Sequence, residues 1–252
     1  MSIRFAAIAD IHGNCAALEA VLADIAAQGI ADIVNLGDVA SGPLHARRTI
    51  ELLMQRNIVT VRGNHDRYLV EQPPEKMGSW ERPAFAELDA GHLDWLRALP
   101  ASLVFRDDVF ACHATPDDDE IYWLETVHAD GAVALAPLDV VVRRAGDVPQ
   151  SLMLCGHSHL PRAVRLPDGR MIVNPGSVGC PGYRDITPVR HVVQTGTPDA
   201  SYAILDRGDD GWQVTFRQVR YDHRAMADLA RQRGRPEWAD VLATGWMPPP
   251  QS

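Results

Sequence analysis

Ile3-Arg4-Phe5-Ala6-Ala7-Ile8-Ala9-Asp10-Ile11-His12-Gly13-Asn14 opens with an apolar run, interrupted only by Arg4, that breaks abruptly into polar residues. Such a run reads as a strand buried on both faces, the kind found inside parallel sheets. Leu18, Val21, Leu22 and Ile25 then recur at helical spacing, and Gly29 supplies a C-terminal stop. The pattern repeats. Residues 32–36 form a second short apolar strand ending in Gly37-Asp38, and a helix spans residues 44–55. Residues 57–61 form a third strand, ending in Arg62-Gly63-Asn64-His65-Asp66. Alternation at this pitch predicts a parallel sheet with right-handed crossovers.

The chain is less regular beyond that point. Residues 71–82, rich in Pro, Gly and charge, read as a loop or lid, and residues 90–99 as a short helix. Residues 103–112 read as a hairpin turning at Asp107-Asp108, and residues 132–144 as another helix. Residues 151–155, 163–166 and 171–174 are short strands, the last two joined by the turn Pro167-Asp168-Gly169. A late hairpin pairs residues 201–205 with 212–219. Helices follow from Asp222 and near Trp238, and the tail from Pro248 to Ser252 is expected to fray. With no repeat and no linker, residues 1–252 read as one domain: a parallel half, a strand-rich half, and a helical extension from about residue 222.

Composition narrows the function classes. The chain has 252 residues with a formal charge of −9, which supplies no global field for nucleic acid or an acidic membrane surface. The N-terminus lacks the pattern of a signal peptide, and no run approaches a membrane span. Cys15, Cys112, Cys155 and Cys180 are widely spaced and form no C-x-x-C pair, which fits a reduced cytoplasmic protein.

The ends of the strands carry the chemistry. The first strand delivers Asp10 and His12, the second Asp38, the third Asn64 and His65, and the run 109–112 delivers His113. The strand 151–155 delivers Gly156-His157-Ser158-His159, two imidazoles at the spacing that sends alternate side chains of an extended segment to one side. Taken singly, each has an ordinary structural reading: Asp10 as a cap, Asp38 and Asn64 as turn residues beside glycine, His113 as a core histidine. Taken together, acidic, amide and imidazole groups gather where open α/β sheets build sites, beyond the carboxyl ends of the strands. Imidazoles converging on one point suggest a metal.

Asp10-Ile11-His12-Gly13-Asn14, Gly37-Asp38, Gly63-Asn64-His65-Asp66, His113 and Gly156-His157-Ser158-His159 resemble, in order and approximate spacing, the motifs of the calcineurin-like metallophosphoesterase superfamily. Asn174-Pro175-Gly176-Ser177-Val178-Gly179 resembles its small bacterial and archaeal phosphodiesterase-like branch. The resemblance implies an α/β fold, a four-layer α-β-β-α sandwich of two facing mixed sheets with flanking helices. It implies two divalent transition-metal ions, one held by Asp10, His12, Asp38 and His159, the other by Asp38, Asn64, His113 and His157, with Asp38 bridging. Manganese is favoured; iron, zinc, cobalt or nickel would also suit these mixed ligands. The implied reaction is hydrolysis of phosphomonoesters or phosphodiesters by attack of a hydroxide held between the ions. The expected partner is a small phosphate ester or nucleotide. A dinucleoside polyphosphate hydrolase is one alternative, and a catalytically silent metal-binding scaffold another. All seven ligand positions and His65 are present, which weighs against the scaffold.

His65 matches the family's catalytic histidine, and Asp66 is the neighbouring candidate to orient it. In the related Ser/Thr protein phosphatases that carboxylate comes from a G-D-x-x-D-R-G motif. Here the segment is Gly37-Asp38-Val39-Ala40-Ser41-Gly42-Pro43, with Ser41 replacing the acid and Gly42 the arginine. That departure argues against a protein phosphatase of that type. Asn14 reads first as a helix cap, the acidic run Asp117-Asp118-Asp119-Glu120 as a solvated loop, and Tyr183-Arg184 as a candidate specificity loop.

Overall fold

The computed structural model describes residues 3–249. Strand β1 (Ile3–Ile8) leads through α1 (Cys15–Ala27) to β2 (Ile33–Asn35), then through α2 (Ala46–Arg56) to β3 (Val59–Thr60) and α3 (Asn64–Glu71). The three strands are parallel, Ala7 beside Val34 and Val34 beside Val59. Asn14 caps α1, its side-chain oxygen accepting the Ala17 N–H at 3.2 Å. The third strand starts later than expected because Asn57 turns left-handed to close α2.

Residues 71–82 are more ordered than a loop. They hold a 3₁₀ turn, Pro74–Lys76, and the start of α4 (Glu81–Phe85), which precedes α5 (Ala90–Ala98). The expected hairpin follows as β4 (Ser102–Phe105) and β5 (Val109–Cys112). The helix expected over 132–144 is a correction: Glu125–Val127 (β6) pairs with Val133–Leu135 (β7), and only Leu138–Ala145 (α6) is helical. Pro137 is the reason, since it pushes the residue before it out of the helical region. Next come β8 (Leu152–Leu154), β9 (Arg162–Arg165) and β10 (Met171–Asn174), then a two-stranded unit of β11 (Gly182–Asp185) and β12 (His191–Gln194) that the apolar pattern does not announce. The late hairpin is β13 (Ala200–Gly208) with β14 (Gly211–Val219), and α7 (His223–Gln232) and α8 (Pro236–Thr244) follow. The tail expected to fray lies, from residue 250, outside the described residues.

The strands form two five-stranded mixed sheets, β14-β13-β1-β2-β3 and β4-β5-β8-β10-β9. The late hairpin joins the first sheet, β13 running antiparallel to β1 with Phe5 opposite Leu205. The two halves of the chain are therefore interleaved rather than successive. Alternation along β1 sets the layers. Phe5, Ala7 and Ala9 face the second sheet and pack with Val109, Ala111, Leu152, Leu154 and Val173. Ala6 and Ile8 face the other way, against Leu18, Val21, Ile50 and Leu53 of α1 and α2. On the far side, Met153 and Ile172 pack on Val141 of α6. Helix, sheet, sheet, helix is the expected four-layer order. No helix among the described residues is long and apolar enough to cross a membrane.

Leu152 is fully buried between the sheets. Leu152→Ala should cost about 2–5 kcal/mol through lost transfer energy and a residual cavity. The exposed Phe216→Ala should stay within about 0.5 kcal/mol of the parent. Urea denaturation of both reads the difference directly.

Candidate metal centre

Asp10, Asp38, Asn64, His113 and His157 all leave the carboxyl ends of their strands toward one edge, β1, β2, β3, β5 and β8 respectively. The chain must turn sharply there. Asp10, His12, Asp38, His157 and His159 all take left-handed φ angles between 50° and 67°, a region that costs a non-glycine residue energy. Five of the seven candidate ligands share it, and only three other non-glycine residues among those described do. Two glycines make the approach possible. A Cβ on Gly63 would strike the Asp38 carboxylate, and one on Gly179 would strike the Ile11 carbonyl.

The side chains fall into two groups, Asp10 with His12 and His159, and Asp38 with His113 and His157, each with ligand atoms within 4.8 Å of one another. Asp38 stands between them: its Oδ2 is 3.3 Å from Nε2 of His113 and 3.8 Å from Nε2 of His12. Asn64 joins the second group, with Oδ1 3.0 Å from Nε2 of His113. Six of the seven are buried, and His157 is half-buried.

Backbone carbonyls fix the imidazole tautomers. Nδ1 of His113 donates to the Leu36 carbonyl at 2.7 Å, and Nδ1 of His159 donates to the Cys180 carbonyl at 2.7 Å. Both rings therefore turn Nε2 toward the centre. His157 is reversed: Nε2 donates to the Glu120 carbonyl at 2.9 Å, leaving Nδ1 free. Ser41 holds Nδ1 of His12 at 2.8 Å, which gives that residue a positioning task. The outcome is a set of nitrogen and oxygen atoms turned toward one another in a small volume. Nε2 of His12 lies 3.2 Å from Nε2 of His159, and Nε2 of His113 faces the Asn64 oxygen. Only a proton or a cation between such atoms makes the contact favourable.

Electrostatics agree. Burial pushes the Asp10 carboxyl up to about 8, opposed by His113 and reinforced by Asp38. Burial holds His157 down to about 4 and His159 down to about 3, so both stay neutral and able to ligate. Burial also works against a charged His113, but the adjacent Asp38 outweighs it and lifts the ring to about 10. Protons thus occupy, in the bare protein, the places that divalent cations would neutralise. The donor chemistry fits two such ions.

His65 sits beside the two groups at the start of α3, its backbone N–H bonded to Asp38 Oδ1 at 3.0 Å. Asp66 does not orient it. The Asp66 carboxylate is fully buried and accepts backbone N–H groups of Asp38 at 2.8 Å, Val39 at 2.9 Å and Gly63 at 3.0 Å. It pins the Asp38 turn to the helix that carries Asn64. The partner of His65 is Glu81, whose Oε1 lies 2.5 Å from Nδ1. Trp80 stacks on the same ring, with centroids 5.0 Å apart and planes inclined by 19°. Nothing in the charged stretch 71–82 distinguishes Glu81 in the sequence; only the fold brings it across. The turn before it is held from behind by α8, where Trp238 packs on Trp80 at 4.7 Å and Arg235 bonds the Ser79 carbonyl.

The acidic run is not free in solvent. Arg67 of α3 grips Asp119 through two 2.7 Å hydrogen bonds, fixing the loop whose Glu120 carbonyl orients His157. Above the histidines opens a cavity of about 540 Å³, with walls from Trp80, Tyr122 and Tyr183.

A family model described as calcineurin-like phosphoesterase superfamily domain matches residues 3–207. The crystal structure of a metallophosphoesterase from Sphaerobacter thermophilus superposes over 97% of this chain and 100% of its own, with a TM-score of 0.74 and 27% identity. The uncharacterized protein MJ0912 of Methanocaldococcus jannaschii is 29% identical, across 92% of this chain and 94% of its own length. A provisionally assigned diadenosine tetraphosphatase aligns with 86% of this chain and 94% of its own at a TM-score of 0.52 and 16% identity, a likeness of fold alone.

The position of Asp66 makes a prediction about stability. Asp66→Asn keeps the shape but weakens charge-assisted bonds to three buried N–H groups. It should destabilise the protein by about 1–3 kcal/mol in chemical denaturation. An unchanged midpoint would remove its clamping role.

Proposed function

This chain belongs to the calcineurin-like phosphoesterase superfamily, and we propose that it hydrolyses small phosphate esters at a two-cation centre. Asp10, His12, Asp38 and His159 hold one ion, and Asp38, Asn64, His113 and His157 the other. The observation that carries the proposal is the convergence of two groups of side chains, Asp10 with His12 and His159 and Asp38 with His113 and His157, each with ligand atoms within 4.8 Å of one another. When bound, two divalent ions activate a water toward phosphorus and offset the charge of the phosphoryl group. Manganese is the favoured species, the mixed nitrogen and oxygen donors suiting a transition metal better than magnesium or calcium.

The chain's own residues do the rest. His65 stands at the mouth of the centre and gives a proton to the departing oxygen. Glu81 holds its Nδ1–H, so that Nε2 is the atom presented to the substrate. Burial and the Asp38 and Glu81 carboxylates act in opposite directions on this ring, and the carboxylates prevail, raising its affinity for a proton. Trp80 shields one face of the imidazole and limits its rotation. The aromatic walls of the cavity accept the organic body of the ester, and its size leaves room for a nucleotide as well as a simple phosphate. Residues 1–252 act as one unit in this reading, with α7 and α8 bracing the turn that carries Glu81. The cysteines, free and buried among the described residues, suit a cytoplasmic setting.

A substrate panel with manganese tests this: aryl monophosphates, bis-aryl phosphates, cyclic nucleotides and dinucleoside polyphosphates. Turnover of at least one class is expected, and its absence across the panel in cation-loaded protein would sink the hydrolase. His65→Ala should lower kcat by about 10²–10⁴-fold while keeping both cations. Asp38→Ala should lose activity together with at least one ion by elemental analysis. Glu81→Gln should lower kcat about tenfold or more with KM and metal content retained, and Glu81→Asp should recover part of the loss. Equal kcat in Glu81→Gln would show that His65 needs no partner.

A further inference from the structure

Arg184 follows Tyr183 on β11 and lines the cavity above the histidines. Its surroundings are unusual for an arginine. Solvent reaches it only partly, yet its Nε is buried without any hydrogen-bond partner. Other arginines in partly buried positions are satisfied: Arg67 by Asp119, Arg162 by Glu125, Arg217 by Asp24, and Arg144 by the carbonyls of Trp123 and Glu125. Among the described residues, the remaining arginines without a side-chain partner, Arg56, Arg190, Arg220 and Arg224, are all exposed to water. Arg184 alone is both withdrawn from solvent and unpaired.

A guanidinium is always charged and offers its donors in a planar fork that matches phosphate oxygens. Burying its Nε without a protein acceptor is unfavourable unless something else pairs with it, and the terminal nitrogens of the fork are left to meet an incoming anion. The neighbouring residue ties the position to the centre. The Tyr183 ring lies 4.7 Å from that of His159, and its hydroxyl reaches the His157 carbonyl at 3.3 Å and the Tyr122 hydroxyl at 2.7 Å. The backbone that carries Arg184 is thereby fixed relative to both groups of ligands. The cations and His65 serve one phosphoryl group, so an anion at Arg184 belongs to a different part of the same molecule.

We propose that Arg184 is a subsite for a second phosphate, and that the preferred substrate is an organic di- or polyphosphate ester whose scissile phosphoryl group meets the cation centre. This rests on the hydrolase reading for the position of the scissile group. Tyr122 and Ile121, on the same cavity wall, receive the organic portion.

The test uses the full chain loaded with manganese, in excess of the metal, as wild type, Arg184→Gln and Arg184→Lys. The probes are the 5′-methylenephosphonate analogue of adenosine 5′-monophosphate and the α,β-methylene analogue of adenosine 5′-diphosphate, titrated by calorimetry. The diphosphate analogue should bind the wild type about tenfold or more tighter than the monophosphate, the scale of a charge-assisted phosphate contact. Arg184→Gln should erase most of that margin while monophosphate affinity stays within about twofold, and Arg184→Lys should keep part of it. Turnover of p-nitrophenyl phosphate, which carries one phosphate, should be the same in all three proteins. A margin that survives in Arg184→Gln, or is absent in the wild type, overturns the subsite. A margin lost as expected in a protein that hydrolyses no ester upholds the subsite and rejects the hydrolase, so the two failures are told apart.

Discussion

The constraint on which the site depends is the burial of carboxylates and imidazoles within reach of one another. Carbonyls of Leu36 and Cys180 fix two of the rings through Nδ1, which turns Nε2 of each toward the cluster. Burial then prevents water from separating them. A fold that pays for five left-handed residues and a cluster of desolvated carboxylates and imidazoles is stable only if the cluster is neutralised. Protons on Asp10 and His113 contribute to this. Other features follow from that requirement: the glycines that leave room for the Asp38 carboxylate and the Ile11 carbonyl, the Asp66 clamp on the Asp38 turn, and the bonded loop that steers His157.

A second layer of residues surrounds the two groups. His65 is adjacent in sequence to Asn64, so the turn that places one also places the other. Its orientation comes from much farther along the chain. Glu81 and Trp80 lie on a turn that α8 supports through Trp238 and Arg235, beyond the residues 3–207 matched by the family model. The C-terminal helices thereby connect to the site, and Trp238 also packs edge-on against the His12 ring.

Much of this was legible from residue patterns. The first strand, the alternation that follows it and the polar residues at each strand end announced both the sheet and the edge that carries the site. Elements set by long-range pairing were not legible. β7 lies in the stretch expected to be helical, and Pro137 decides against the helix there, leaving residues 133–135 to pair with β6. β13 joins the first sheet because β1 needs a neighbour on its free edge, which no local pattern encodes. Asp66 stands next to His65, so proximity suggested a partnership. In the helix, side chains of adjacent residues diverge, and the carboxylate turns back to the Asp38 loop instead. Glu81 carries no local signal at all, and Arg184 stands out in the sequence only as part of a candidate specificity loop. Their significance lies in what they face, or in Arg184's case in what is missing from its surroundings.

The central claim is a pair of cations bridged by Asp38. Electron paramagnetic resonance of the protein loaded with manganese tests it most directly, because ions about 3.5–4 Å apart are coupled by exchange. The expected spectrum is that of an exchange-coupled pair, replaced in Asp38→Ala by isolated ions or none. A spectrum of magnetically isolated manganese in the fully loaded wild type would contradict the shared centre.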